Sequence, residues 1–376
     1  MELINRKVDV INGSDNLETL HIVNNHPALM NCTSQEEIND FKTDLIWQIS
    51  KDSGIIQLRN LIPLELLYSE PHTGMSGLLW DQHYIDFANF IKTFVPQSVF
   101  EIGGGRGNLA SIFSKITSVI PWTIVEPNPS PDINCSAVFI KEFFTENFKP
   151  NWQFDTVVHS HVFEHSYEPA EFIKDISNLL IDDKKMIFSV PNMKSMLEHK
   201  HANCINFEHT VFLSEPYIEY LLAKFKFRIL KKSYFKNHSI FYSTIKDSTV
   251  EPIELDNNLY TLNKVAYIEY INHFNDLIIR MNEAIKQITV PIYLFGAHVF
   301  TQYLIALGLD VTNVINILDH DKSKHGKRLY GTSLIVKSPY LLHTGTPVAL
   351  IVKSGMYDEE IRNHIVKHIN SNVIFI

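Results

Sequence analysis

Val99-Phe100-Glu101-Ile102-Gly103-Gly104-Gly105-Arg106-Gly107-Asn108-Leu109 decides the fold of this 376-residue chain. An apolar run of strand type carries one acidic residue, passes into glycines at alternate positions and then enters a helix. Glycine is needed where backbone must approach a ligand without a Cβ in the way, and the helix N-terminus beyond supplies free N–H groups. The spacing is G-x-G-x-G. A dinucleotide loop, G-x-G-x-x-G, would need a glycine where Asn108 stands, so the pattern favours a ligand without a pyrophosphate.

Working outward, the next strand-like run ends in Ile124-Val125-Glu126-Pro127-Asn128. Glu126 follows the loop at about the 20-residue distance where an acidic side chain meets ribose hydroxyls in this architecture. Apolar runs at 98–102, 122–125, 137–140, 156–158 and 186–190 alternate with helical spacing at 84–94 and 169–180. That alternation predicts an α/β fold, a parallel sheet with helices on both faces. Residues 1–80 read as a small strand-rich unit. A polar linker at 246–258 leads into a long helical stretch from 259 to about 289. A second α/β unit follows, with strands at 292–295, 314–318 and 348–352 and helices at 300–306 and 359–368. The expected division is therefore 1–80, 81–250 and 251–376.

Bulk properties set the class of partner. Hydrophobic residues are 45% and charged residues 20% of the chain, the balance of a globular protein, and the formal charge is −9. The Lys and Arg residues are scattered, so no nucleic-acid footprint is present and a small-molecule substrate is expected. The first twenty residues lack the pattern of a signal peptide, and no run is long enough to span a bilayer, which predicts a cytoplasmic location without membrane contact. Cys32, Cys135 and Cys204 are far apart and lack CxxC spacing, which argues against a disulfide framework and a zinc ribbon.

Glu101 to Gly107, Glu126, the run Phe154-Asp155-Thr156-Val157-Val158-His159-Ser160-His161-Val162-Phe163-Glu164-His165 and Ser189-Val190-Pro191-Asn192 resemble the motifs of class I S-adenosylmethionine-dependent methyltransferases. The resemblance implies a Rossmann-like methyltransferase core and S-adenosyl-L-methionine as cofactor. It implies that Gly103, Gly105 and Gly107 hold the methionine part, Glu101 its amino group and Glu126 the ribose, with Ser160 in the same pocket.

Three further stretches extend the resemblance to three-domain C-methyltransferases of nucleotide-linked 4-keto-deoxysugars. They are the run from Asp44 to Leu58 with Leu66, Leu67 and Trp80; Phe207-Glu208-His209 with Phe212 and Ser214; and the segment from Phe295-Gly296-Ala297 through Leu318-Asp319 to Gly331-Thr332. In that family an N-terminal zinc unit precedes the core and a second Rossmann-like unit follows it. Here Ser50 and Ser53 stand where zinc thiolates are expected, and the upstream pair is replaced around Asp9 and Asn12. The N-terminal domain is then degenerate, and no metal is expected. Asn206 replaces a family tyrosine, and His72 lies near another, so both are candidate substrate contacts.

His209 is the candidate general base: imidazole titrates near neutrality and can take a proton from a carbon beside a ketone. Glu208 would orient or polarise it, and the resemblance implies that His165 holds the substrate. The bland reading makes Glu208 and His209 a surface pair ahead of a helix capped by Ser214. His159, His161 and His165 crowd one strand end, yet they lack clear carboxylate and cysteine partners for a metal. Gly296 and Asp319 would contact the nucleotide, although a lone glycine there equally suits plain packing. Alternatives to sugar C-methylation are O- or N-methyl transfer to another small acceptor and a binding module without chemistry.

Overall fold

The computed structural model describes residues 3–67, 77–204 and 206–376. His72 lies outside the described residues. The expected α/β architecture is present, built on three sheets of three or more strands with two two-stranded pairs beside them.

The N-terminal sheet has three antiparallel strands, β1 (Leu17–Pro27), β2 (Lys42–Ser50) and β3 (Ile56–Leu58). Apolar residues alternate on β2, so Leu45, Trp47 and Ile49 are buried together. The turn after β2 places Ser50, Ser53 and Asp9 side by side. Asp9 is buried; its Oδ1 accepts from Ile11 N at 2.7 Å and Asn12 N at 3.3 Å, and its Oδ2 accepts from Ser53 Oγ. Ser50 Oγ in turn accepts from the Asp52 and Ser53 amides, both at 3.2 Å. The Asp9 carboxylate and the Ser53 hydroxyl thus tie together the two turns where the resemblance has metal ligands, while Ser50 closes its own turn.

The central sheet has seven strands: β4 (Val99–Ile102), β5 (Trp122–Val125), β6 (Val138–Ile140), β7 (Thr156–Ser160), β8 (Lys185–Pro191), β9 (Phe227–Phe235) and β10 (Ser239–Lys246). Their spatial order is β9-β10-β8-β7-β4-β5-β6, and β10 alone runs antiparallel to its neighbours. Helices α1 (Leu78–Lys92), α2 (Asn108–Ile116), α3 (Pro169–Leu179) and α4 (Glu215–Lys224) accompany it. The chain leaves β4 toward β5 on one side and returns to β7 on the other. The crevice between β4 and β7 is therefore the topological switch point, where ligands bind in open α/β sheets.

Helix α5 (Leu259–Gln287) leads to the C-terminal sheet and buries Leu259, Asn263, Tyr267, Tyr270, Phe274 and Ile278 along one stripe. The all-parallel strands β11 (Ile292–Phe295), β12 (Val314–Leu318), β13 (Val336–Lys337), β14 (Val348–Val352) and β15 (Val373–Phe375) lie in the order β13-β12-β11-β14-β15. One continuous buried apolar cluster contains residues of all three sheets. Gly54 shows how closely they pack: at φ +74, a Cβ there would collide with the backbone of Leu259 and Tyr260 at the start of α5. Arg328 Nη1 and Nη2 donate to Asp40 at 2.6 and 2.7 Å, pinning the N-terminal unit to the C-terminal one. Among the described residues no helix is long and apolar enough to cross a membrane.

Two local expectations differ. Helix α1 starts six residues earlier than its apolar spacing suggests, at Leu78 rather than Tyr84, because Trp80 and His83 are buried on the same face. The hairpin β9–β10 has no counterpart in the sequence reading, since the edge strand β9 interleaves Arg228, Lys231 and Lys232 with apolar residues, buries only its two ends and lacks a period-2 apolar face.

Candidate active site

The glycine loop leaves β4 at the switch point. Gly103 N donates to Val125 O at 2.8 Å, which fixes the loop against β5, and Gly107 caps α2 in a left-handed conformation. Gly105 decides the chemistry of the loop. Its φ is +54, and a Cβ built on it meets nothing within 4 Å, so its open face is free for a ligand. Its N–H donates to Glu126 Oε2 at 3.1 Å, while Glu126 Oε1 accepts from Asn128 N at 3.0 Å. The two features found from spacing, loop and second acid, are thus hydrogen-bonded neighbours.

Glu101 is placed differently. It is 2% exposed, and its Oε2 accepts from Trp122 Nε1 at 2.6 Å. Burial pushes its carboxyl up to about 7, against the Trp122 hydrogen bond and with the help of Glu126. It supports the loop from below, with Oε1 beneath Gly104. Ser160 ends β7, paired in register with Ser189 of β8.

Beyond Ser160 the chain turns through His161 at φ +54 into the short helical turn Phe163–His165. There the histidines separate. His159 points into the core, its ring stacked on Phe188 at 4.8 Å and 12°, and so leaves the site. His165 lies against His209, ring centroids 4.9 Å apart. Glu164, which the sequence reading passed over, completes this group: ligand-type atoms of Glu164, His165 and His209 lie within 4.8 Å of one another. Glu164 is 1% exposed, and burial raises its carboxyl to about 7 while His209 pulls it down. His209 is lowered by burial, with Glu164 as the chief opposing influence. Glu208, the expected orienting acid, lies near Tyr167.

The turn that carries His209 is built by Asn206. Asn206 is buried, and its Oδ1 accepts from the Glu208 and His209 amides at 2.8 and 3.0 Å, while its Nδ2 donates to Asn203 O at 3.3 Å. The side chain is committed to its own turn, in place of the expected substrate contact. His209 Nδ1 is 3.0 Å from Asn203 O, which leaves Nε2 as the nitrogen that can act.

The N-terminal unit reaches this turn directly. Leu58 N donates to Thr210 O and Phe212 N donates to Ile56 O, both at 2.8 Å, so the 210–212 segment extends the edge of β3. Buried Arg6 donates from Nη1 to Thr210 O at 3.2 Å and from Nη2 to Tyr167 O at 2.5 Å, clamping the His209 and His165 segments together. A lone Arg in a short N-terminal segment carries no sequence signal for such a role.

In the C-terminal unit, Gly296 follows β11 and Asp319 follows β12. Asp319 Oδ2 accepts from Ala297 N at 2.9 Å and Lys324 Nζ at 3.0 Å, and its Oδ1 accepts from Asp321 N at 2.9 Å. Both oxygens are engaged within the unit. Ser214 stands at the N-cap of α4 as expected, but its hydroxyl makes no capping bond.

Sheet order, switch-point loop and paired acids define a nucleotide-type ligand site on a Rossmann-like sheet. Residues 81–232 match the family model of a methyltransferase domain. No curated protein matches the chain. Among solved structures, it is similar to the plantazolicin methyltransferase BpumL in complex with a monoazolic desmethylPZN analog and SAH, at 14% identity over 45% of this chain and 84% of that one, TM-score 0.37. It is also similar to magnesium protoporphyrin IX methyltransferase of Synechocystis PCC 6803, at 12% identity over 47% and 90%, TM-score 0.37. A third is the 1,6-didemethyltoxoflavin-N1-methyltransferase of Burkholderia thailandensis, at 13% identity over 47% and 94%, TM-score 0.33.

Proposed function

We propose that the protein transfers the methyl group of S-adenosylmethionine to a carbon beside a ketone in a nucleotide-linked deoxysugar. The observation that carries this reading is the meeting of His209, His165 and Glu164 beyond the end of β7, the strand that flanks the switch point. The cofactor would lie over Gly105, its ribose on Glu126, with Gly103, Gly107 and Ser160 shaping the pocket and Glu101 holding the loop. His209 would remove the carbon-bound proton, and the resulting enolate would attack the methyl carbon as the sulfonium leaves as S-adenosylhomocysteine. Glu164 is the acid we assign to the resulting imidazolium, in preference to Glu208, and His165 would hold the acceptor.

Division of labour follows the three sheets: residues 1–80 brace the His209 turn, 81–250 carry cofactor and chemistry, and 251–376 offer a second nucleotide-type surface. Since Asp319 is already bonded to Lys324 and Ala297, a nucleotide there would be met by the Gly296 loop more than by that carboxylate.

The test is isotope exchange. With a 4-keto sugar nucleotide in deuterated water and S-adenosylhomocysteine bound in place of the methyl donor, deuterium should enter the carbon next to the ketone, and His209→Ala should stop it. A positioned general base contributes about 10²–10⁴-fold, so turnover should fall by that order with cofactor affinity nearly unchanged. Undiminished exchange in His209→Ala rejects the base, and turnover on an acceptor without a ketone rejects carbon methylation.

A further inference from the structure

Beside the cofactor crevice, three imidazoles converge from elements far apart in sequence. His83 comes from α1, His161 from the left-handed residue after β7, and His238 from the β9–β10 turn. One ring nitrogen of each lies within 4.8 Å of the others. His161 Nδ1 faces Glu164 Oε1 at 3.0 Å, so its Nε2 is the nitrogen presented, 2.9 Å from Ser239 Oγ. The same hydroxyl meets His238 Nδ1 at 2.5 Å. His83 is fully buried; its Nε2 is 2.9 Å from Ser189 Oγ, and its Nδ1 has no partner among the described residues. Trp80 walls the cluster, its ring centroid 5.1, 4.8 and 4.6 Å from those of His83, His161 and His238.

We propose that His83, His161 and His238 form a binding site for a divalent transition metal of the zinc type. Three neutral imidazoles are a common donor set for such ions, and a ligating His typically turns its other ring nitrogen to a carboxylate, as His161 Nδ1 faces Glu164 Oε1 at 3.0 Å. Zinc–nitrogen bonds of about 2.0–2.1 Å in tetrahedral geometry set the nitrogens roughly 3.3 Å apart, so rotations that draw the rings in by about an ångström complete the site. Ser239 Oγ lies between two of the rings, and water would complete the four-coordinate shell. The ion would fasten α1, the His161 turn and the hairpin together beside the pocket, and through Glu164 it would bear on His209. This cluster is distinct from the zinc position of the N-terminal unit, and from the run His159, His161 and His165, whose first member faces the core.

The test uses full-length protein stripped with chelator and titrated with Zn²⁺ by calorimetry and with Co²⁺ by absorption. One equivalent should bind, with the visible bands of four-coordinate cobalt. Glu164→Gln should weaken zinc affinity about 10–100-fold, the usual effect of losing a carboxylate behind a ligating His. His83→Gln and His238→Gln should abolish stoichiometric binding, and His209→Gln should keep it. If the histidine variants do not fold, zinc K-edge absorption on the parent counts imidazole ligands with no substitution. A parent that binds no stoichiometric metal overturns the proposal and leaves a histidine–serine hydrogen-bond network. Binding lost in His209→Gln but kept in His238→Gln also overturns it, moving the ion to Glu164, His165 and His209. None of these readouts involves a methyl acceptor, so they succeed or fail independently of the proposed transfer.

Discussion

Gly105→Leu separates folding from cofactor binding more cleanly than any other change in the glycine loop. A leucine at φ +54 costs about 1–2 kcal/mol of backbone strain, and its Cβ meets no atom within 4 Å, so the unliganded fold should accept it. The side chain would then occupy the space above the Gly105 amide, which donates to Glu126 Oε2. Denying the ligand the Glu126 carboxylate removes a charge-assisted hydrogen bond of about 1.5–3 kcal/mol, roughly 10- to 150-fold in affinity. Gly104→Ala is the contrasting variant. Its Cβ would lie 2.6 Å from the Ile124 side chain and 2.9 Å from the Glu101 carboxyl carbon, so it should damage the loop's foundation and the fold with it. Calorimetric titration of S-adenosylhomocysteine into each variant, with circular dichroism as the control for folding, gives the comparison. Native-like Gly105→Leu that binds the ligand as tightly as the parent would refute the placement of the cofactor on this loop.

Two further outcomes follow from the same geometry. Glu126→Ala should weaken S-adenosylmethionine binding by roughly 10- to 100-fold while leaving the sheet intact, measured by equilibrium dialysis; unchanged binding removes Glu126 from the pocket. Asp9→Ala strips the acceptor from two amides and the Ser53 hydroxyl in a buried turn and should cost on the order of 3 kcal/mol in denaturant unfolding, whereas chelator should leave the stability of residues 1–80 unchanged. Chelator-induced unfolding of that unit would mean that a metal, and not this carboxylate, joins its turns.

Much of the site was legible because the signals were local. The strand–loop–helix around Gly105 and the acid at Glu126 declare themselves by spacing, since each needs a particular residue at a particular backbone position. The strands of both parallel sheets declare themselves as short continuous apolar runs, because both of their faces are buried. What stayed hidden depends on contacts distant in sequence. Glu164 looks like any acid in a helical turn until β7 carries it against His209. Arg6 acts across 204 positions on Thr210 Oγ1 and the Thr210 carbonyl. Asn206 reads as a missing tyrosine in the sequence, yet in the fold its short amide closes the turn that a longer side chain would have to leave open. The histidines show the same limit: neighbours in sequence, His159 and His161, point to opposite sides of the strand end, while His83, His161 and His238 meet only through the fold.

The pairing of Glu164 with His209 can be read from the pH dependence of the reaction. A general base must be unprotonated, so kcat/KM should rise with pH through the acid limb and level off once His209 is neutral. Burial lowers His209 and the Glu164 carboxylate opposes that lowering, while burial raises Glu164 itself to about 7. The limb therefore belongs to the pair and not to either residue alone. Replacing the acid in Glu164→Gln removes the influence that favours the imidazolium. The limb should then move to lower pH, because His209 loses its proton more readily. The plateau should fall, because the imidazolium formed during proton removal has lost its counter-charge. A merely structural role for Glu164 predicts a lower plateau with the limb in place. Glu208→Gln is the matched control: Glu208 lies near Tyr167, and the spatial pairing expects its limb to stay where the parent's lies. If the limb moves in Glu208→Gln and stays fixed in Glu164→Gln, the sequence-derived pairing of Glu208 with His209 is right and the spatial pairing proposed here is wrong.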